Sequence, residues 1–159
     1  MKAVVPGTFD PVTMGHVSLV KRAVEICGNV VVALGVNDSK RSLFTLEERI
    51  ELLKETFKDD PRITIASFEG LLVDFVAANG VDVVVRGIRN QEDAGYELAL
   101  NEKNQLLDDS FETMLFPTKK PWQLVSSSFV REISRYDVER ARRFVPECVF
   151  AALKKKFAQ

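Results

Sequence analysis

Short apolar runs alternate with helix-like segments along most of the chain. The runs are rich in β-branched residues and occupy residues 2–5, 29–36, 62–67, 81–87 and 111–117. Near-continuous apolar runs of this length are typical of strands in a parallel sheet that is covered on both faces. The pattern therefore predicts five such strands.

The segments between the runs carry the spacing of amphipathic helices. Apolar residues recur every three or four positions in residues 17–27 and again in residues 46–57. Thr45 and Glu48 form the T-x-x-E pattern of a capping box, which predicts that the second helix begins there. Gly80 follows a shorter helical segment and predicts its end, and the chain from Ser126 onward also has a helical pattern.

This order of elements predicts an α/β fold. We expect a doubly wound, Rossmann-like parallel five-stranded sheet with helices on both faces and a helical C-terminus. The sequence shows no internal repeat, low-complexity tract or linker, so we expect a single domain over residues 1–159. Ligands of such sheets bind beyond the carboxyl ends of the strands, near the point where the strand order reverses.

Composition narrows the classes of partner. The chain has 22 Lys and Arg against 23 Asp and Glu, a formal net charge of −1, which argues against nonspecific nucleic-acid binding. No run approaches the ~18 apolar residues of a membrane span. Cys27 and Cys148 are far apart in the sequence, as is typical of a reduced compartment. We therefore expect a cytoplasmic protein with no nucleic-acid or membrane partner.

The only histidine, His16, closes the stretch VVPGTFDPVTMGH after the first predicted strand. Gly7 and Gly15 allow close backbone approach to a ligand, and His16 falls in the first turn of a predicted helix, where an anion is favoured. A lone histidine is more often a surface or core residue, so its position alone does not decide its role. Neither the G-x-G-x-x-G fingerprint nor the P-loop occurs, which argues against dinucleotide oxidoreductases and P-loop enzymes.

Cations and hydroxyls follow the other predicted strands. A single cation at a strand end is usually a solvated charge, but here several loops supply them at one sheet edge. Together with a capped helix start, they predict a ligand that carries several phosphates. The residues concerned are Lys40, Arg41, Arg86, Arg89, Trp122, Ser126, Ser127, Ser128 and Arg131.

Four motifs then carry a family resemblance. TMGH, ending at His16, resembles the T/HxGH hallmark of the nucleotidylyltransferase superfamily, and VSSSFVR resembles its second hallmark. SKRSLFTLEER and VVVRGIRNQEDAGYE resemble one family within it, the phosphopantetheine adenylyltransferases, and the match covers essentially the whole chain. The resemblance implies transfer of AMP from ATP to 4′-phosphopantetheine, which gives dephospho-coenzyme A and pyrophosphate in coenzyme A biosynthesis.

The resemblance also implies residue roles. His16 is expected to stabilise the transition state at the α-phosphate, and Thr8 to contact both substrates. Lys40, Leu72 and Arg86 are expected to bind phosphopantetheine, with Arg131 in a supporting role. The residues expected to bind ATP are Thr8, Phe9, His16, Gly87, Ile88, Arg89, Glu97, Trp122, Gln123, Leu124, Val125, Ser126, Ser127 and Ser128. Mg²⁺ accompanying ATP, a homohexamer and feedback binding of coenzyme A are implied as well.

The chemistry suits these residue types, because the attacking phosphate has a second pKa of about 6 and needs no strong base. Positioning and charge stabilisation then dominate the reaction.

Two departures from the family pattern are Val5, in place of a tyrosine, and Gly95, where an aromatic residue is common. The open alternatives are a transferase for another phosphorylated acceptor, such as nicotinamide mononucleotide or glycerol phosphate, a nonreactive nucleotide-binding regulator, and an interaction domain.

Overall fold

Five parallel strands form one sheet in the computed structural model, which describes residues 1–36 and 41–158. The strand order is β3-β2-β1-β4-β5. The strands are β1 (Lys2–Gly7), β2 (Asn29–Gly35), β3 (Ile63–Phe68), β4 (Val83–Ile88) and β5 (Glu112–Pro117). Each predicted apolar run therefore overlaps a strand, and the predicted doubly wound sheet is confirmed.

Helices connect the strands and follow the last one. The α-helices are α1 (Met14–Cys27), α2 (Leu46–Phe57), α3 (Leu72–Asn79), α4 (Gln91–Leu107), α5 (Ser127–Tyr136) and α6 (Glu147–Phe157). Two 3-10 helices lie at Trp122–Leu124 and Val138–Phe144. Within the part of the chain that the structure describes, no helix is long and apolar enough to cross a membrane.

The predicted helix signals act as expected. The Glu48 amide donates to Thr45 Oγ1 at 3.2 Å, and Glu48 Oε2 accepts from the Thr45 amide at 2.8 Å, which completes the capping box of α2. Gly80 has a φ of 56° and ends α3 in the left-handed conformation that glycine adopts without a steric penalty.

The sheet is covered on both faces, but unequally. Residues of α1, α2, α5 and α6 build the larger core with alternate residues of the strands, such as Val5 and Val32. A smaller core on the other face joins α3 to Val4 and Val84. The two edge strands are only partly buried, because β3 has no fully buried residue and β5 has one, Phe116. The apolar runs predicted that all five strands are covered on both faces. β3 and β5 are less buried than predicted because each lies at an edge of the sheet.

The strand order reverses between β1 and β4. From β1 the chain proceeds through β2 to β3 on one side, and from β4 to β5 on the other. β1 pairs with β2 over six residues, whereas its pairing with β4 comprises Ala3 with Val83 and Val4 with Val84. The two strands therefore diverge toward their carboxyl ends, at the place where a ligand is expected.

Candidate active site

A cleft of about 580 Å³ opens where β1 and β4 diverge. Its walls come from the β1–α1 loop, the first turns of α1, the end of β4, one side of α4, and Trp122 with Val125, Ser126 and Ser127. Arg86 spans the gap, because its Nη1 donates to the carbonyl of Pro6 at 3.0 Å. The site therefore lies at the topological switch point, as the strand pattern predicts.

Most of the predicted site residues line this cleft. Those that do are Thr8, Phe9, His16, Leu72, Arg86, Gly87, Arg89, Glu97, Trp122, Val125, Ser126 and Ser127. Ile88, Gln123, Leu124 and Ser128 are not part of the lining, and the Leu124 side chain is 87% exposed. Lys40 lies outside the residues that the structure describes.

The β1–α1 loop has an unusual backbone at Phe9, whose φ of 50° is left-handed for a residue with a side chain. This turn buries the Phe9 ring and places its edge against the ring of His16, with centroids 4.9 Å apart. A Cβ at Gly7 would lie 3.0 Å from the Phe9 ring. Gly7 thus makes room for Phe9, and it also lines the cleft where the sequence predicts close approach to a ligand.

The hydrogen bonds of His16 fix its tautomer. Its Nδ1 accepts from the backbone N–H of Thr13 at 3.0 Å, and the Thr13 hydroxyl lies 3.2 Å from the same nitrogen. Because a backbone amide can only donate, Nδ1 carries no proton in this arrangement. The proton of the neutral ring is therefore on Nε2, and the ring presents a hydrogen-bond donor in the cleft.

The surroundings keep His16 neutral. Burial and, to a lesser extent, the positive charge of Arg89 together lower the pKa of His16 from 6.5 to about 4. The ring keeps some accessible surface toward the cleft, but protein atoms surround its other sides. A helix N-terminus predicts the same direction, yet loss of hydration is the larger cause of the shift here.

Two arginines line the cleft in ion pairs. Arg86 forms a bidentate pair with the buried carboxylate of Glu97, at 2.8 Å and 2.7 Å. With the bond to Pro6 this uses three of its five N–H groups, so two remain for a ligand. Arg89 pairs with Asp93 at 2.8 Å, which lowers the pKa of Asp93 and raises that of Arg89. Glu97 thus contacts Arg86 and also lines the cleft, and its expected contact with ATP stays a prediction.

The three serines have different partners. Ser126 is the N-cap of α5 and accepts from the amide of Phe129 at 3.0 Å, whereas Ser127 Oγ donates to the carbonyl of Pro11 at 2.7 Å. The hydroxyl of Ser128 accepts from Arg131 at 3.2 Å. Since the first N–H groups of a helix lack partners within it, the start of α5 at the cleft favours an anion.

Several lining residues were not predicted from the sequence. Ser18 and Leu19 lie three and four residues after Gly15, and Arg22 follows them by four and three residues, so all of them share one side of α1. That spacing is the signal that could have identified them, because Gly15 already belonged to the motif. Thr13 is 1% exposed and holds His16, a role that its N-cap position indicates.

The arrangement suits the binding and transfer of phosphate groups. The N-termini of α1 and α5 favour anions, as do Arg86 and Arg89. The neutral imidazole of His16, with its fixed N–H donor, can stabilise the negative charge that develops on a phosphate oxygen. This chemistry needs no side chain of the protein as a nucleophile.

Two solved structures share the fold. TmcAL from Thermotoga maritima, crystallised with alpha-thio ATP, aligns with a TM-score of 0.71 at 13% identity over 99% of this chain and 55% of that chain. The lipopolysaccharide core biosynthesis protein from Thermoplasma volcanium aligns with a TM-score of 0.54 at 20% identity, over 76% of this chain and 97% of that chain. At these identities the likeness concerns the fold alone.

Sequence relatives carry the comparison further. The cytidylyltransferase-like family matches residues 4–133. Phosphopantetheine adenylyltransferase of Francisella philomiragia is 40% identical over 157 residues, 99% of this chain and 97% of the relative. The enzyme of the same name from Francisella tularensis subsp. novicida is 38% identical over the same shares. The chain is a nucleotidyltransferase and belongs to the phosphopantetheine adenylyltransferase family.

Proposed function

We propose that the cleft binds ATP and 4′-phosphopantetheine together and transfers AMP to the phosphate of the acceptor. The products are dephospho-coenzyme A and pyrophosphate, so the enzyme acts in coenzyme A biosynthesis. The observation that carries the proposal is the fixed Nε2–H donor of His16 in a cleft that also contains Arg86 and Arg89.

His16 acts on the nucleotide side. Its Nε2–H donates to an oxygen of the α-phosphate, and the bond strengthens as the phosphorus becomes five-coordinate and the oxygen gains charge. A neutral ring does this without a proton transfer, and burial with the nearby Arg89 keeps it neutral. The acceptor phosphate attacks in its ionised form, so no carboxylate base is required.

The two arginines serve different substrates in this proposal. Arg86, held by Glu97, directs its two remaining N–H groups to the phosphate of phosphopantetheine, with Lys40 as its expected partner. Leu72 lines the pantetheine arm. The residues that surround ATP in this proposal all line the cleft: Thr8, Phe9, Gly87, Arg89, Glu97, Trp122, Val125, Ser126 and Ser127.

Mg²⁺ fits this site as part of the nucleotide. Among the described residues no group of three or more potential ligands is found, and the two carboxylates that line the cleft, Asp93 and Glu97, are paired with arginines. The ion is therefore expected to enter with ATP, bound by phosphate oxygens and water, as Mg²⁺ commonly is in nucleotide sites. There it neutralises phosphate charge.

The wider expectations are part of the same proposal. The single domain acts in the cytoplasm as a homohexamer, and coenzyme A binds the cleft as a feedback ligand. Support for self-association comes from α4, whose 17 residues contribute one buried side chain, Glu97. Tyr96, Leu98, Leu106 and Leu107 of α4 are all more than half exposed. Tyr96 and Leu107 share one side of α4, and an exposed apolar surface commonly marks an interface.

The test is a turnover assay with Mg·ATP and 4′-phosphopantetheine, followed by mass spectrometry for dephospho-coenzyme A. His16→Ala is expected to lower kcat by at least ~10²-fold, the usual effect of losing one fixed donor, with a much smaller change in ATP affinity. Pyrophosphate release with only nicotinamide mononucleotide or glycerol phosphate assigns a different acceptor. Calorimetric ATP binding without turnover indicates a regulator and overturns the proposal.

A further inference from the structure

Side chains from other elements bind backbone carbonyls at the end of β1 and in the β1–α1 loop. The donors lie on β4, α2 and α5, and the acceptors are Pro6, near the end of β1, and three residues of the loop. The pairs are Arg86 with Pro6, Arg49 with Thr8, Arg131 with Asp10 and Ser127 with Pro11. Of these four donors, Arg86 and Ser127 line the cleft, whereas Arg49 and Arg131 do not.

Arg49 occupies a core position of α2. It lies four residues before Leu53 and eight before Phe57, and these three are the buried residues of the helix. Its Nη1 donates to the carbonyl of Thr8 at 2.9 Å and its Nε to the carbonyl of Thr45 at 3.4 Å. Among the described residues it forms no ion pair, which is unfavourable for a guanidinium that is only 7% exposed.

A second contact runs in the opposite direction. The carboxylate of Asp10, which is 4% exposed, accepts from the amides of Leu43 and Phe44 at 2.8 Å and 2.9 Å. The loop and the start of α2 are thus joined twice, once by a side chain of each. Charge-assisted hydrogen bonds of this kind fix geometry strongly.

The two contacts flank the strained turn. Thr8 lies before Phe9 and Asp10 after it, and Phe9 has the left-handed φ of 50°. Non-glycine residues keep such a conformation only where their surroundings determine it. The turn exposes Thr8 to the cleft and presses the Phe9 ring against His16.

We propose that Arg49 is a positioning residue for AMP transfer. With Asp10, it holds the Thr8–Phe9 turn so that Thr8 faces both substrates and the His16 ring keeps its orientation. This inference rests on the proposed function, because it concerns the geometry of that reaction. It assigns a role to a residue that contacts neither substrate.

The first test compares three variants. Arg49→Met keeps the length of the side chain without its donors, and Arg49→Lys keeps the charge without the forked geometry. Both are expected to lower kcat about 10- to 100-fold, since small displacements at a reacting centre have effects of this size, while KM for ATP changes less than about threefold. Lys54→Met removes a charge from an exposed position of the same helix and serves as the matched control.

A double-variant cycle separates positioning from general stability. If Arg49 acts through Thr8, then Arg49→Met has a much smaller effect on kcat in a Thr8→Ala background than in the natural chain. The inference is overturned if the effects of the two substitutions on kcat simply multiply in the double variant. It is also overturned if kcat of both Arg49 variants stays within twofold of the natural chain. If circular dichroism shows Arg49→Met unfolded, the same cycle with Arg49→Lys decides.

A spectroscopic readout makes the two proposals distinguishable. His16 is the only histidine, so its ring signals are resolved by NMR without assignment of the whole chain. Arg49→Lys is expected to shift the ring signals, and Lys54→Met to leave them in place. Unchanged His16 signals in Arg49→Lys contradict the inference. Absence of turnover by the natural chain contradicts the proposed function, whatever the ring signals show.

Discussion

A hydrogen-bond donor beside a triphosphate is most useful if its protonation state does not depend on the ligand. Thr13 and the burial of His16 provide this, because the amide of Thr13 occupies Nδ1 and loss of hydration disfavours the imidazolium. Protonation of Nδ1 would also break the bond to Thr13. The ring is therefore a neutral donor over the physiological pH range.

The first prediction concerns the titration of His16. Its midpoint, followed by NMR in the free protein, is expected well below 6.5 and near the value of about 4 that burial and Arg89 give. Since the folded chain then resists a proton that the unfolded chain accepts, the free energy of unfolding should fall as pH decreases from about 6.5 to about 4. Arg89→Gln should raise the midpoint slightly; a midpoint at or above 6.5 contradicts this account.

The second prediction separates the two arginines. Arg86→Ala is expected to raise KM for phosphopantetheine more than KM for ATP, and Arg89→Ala to do the reverse, as measured by initial rates with each substrate varied. Because Arg86→Ala leaves Glu97 buried without its partner, the Arg86→Ala/Glu97→Ala double variant controls for lost stability. Equal changes in both KM values for each single variant refute the assignment.

At the scale of elements, periodicity predicted the strands and most helices, because burial on a sheet leaves a regular apolar signal. α4 was harder to delimit, since its large apolar residues are spread around its circumference and one residue of the helix is buried. The left-handed turn at Phe9 and the contact of Arg49 with Thr8 lay beyond prediction. The contact joins residues that are 41 positions apart, which no local pattern reports. The turn places a residue with a side chain in a left-handed conformation that its sequence does not favour.

The third prediction concerns Gly95 within α4. A Cβ at this position meets nothing within 4 Å, so alanine fits without a clash. Gly95→Ala should raise the free energy of unfolding by roughly 0.5–1 kcal/mol, because glycine is a poor helix former and loses more backbone entropy. Gly80→Ala, at a φ of 56°, is the matched control and should lower it. Denaturant titration measures both, and a destabilised Gly95→Ala variant contradicts the prediction.

At the scale of the whole molecule, the location of the site followed from the order of elements. A doubly wound sheet reverses its strand order at one place, and the motif residues after β1 and β4 fall there. Which cations meet the ligand did not follow, because that depends on their pairing. Glu97 engages Arg86 and Asp93 engages Arg89. The spacing of four residues between Arg89 and Asp93 hints at their pair, whereas no local pattern indicates that Arg86 pairs with Glu97.

The last prediction concerns assembly through α4. Tyr96 and Leu107 lie 11 residues apart, about three turns, and so share a side of the helix; Leu106 borders that side, about 100° from Leu107 around the helix axis. If this surface joins copies of the chain, the natural protein should show several times the mass of one chain by light scattering after size exclusion. Leu106→Glu, at an 87% exposed position, should reduce that mass without unfolding the chain, since it disturbs no core contact. Tyr136→Ser, equally exposed but on α5, is the matched control and should leave the mass unchanged. A natural chain of monomeric mass, or an assembly that Leu106→Glu does not weaken, excludes this surface as the interface.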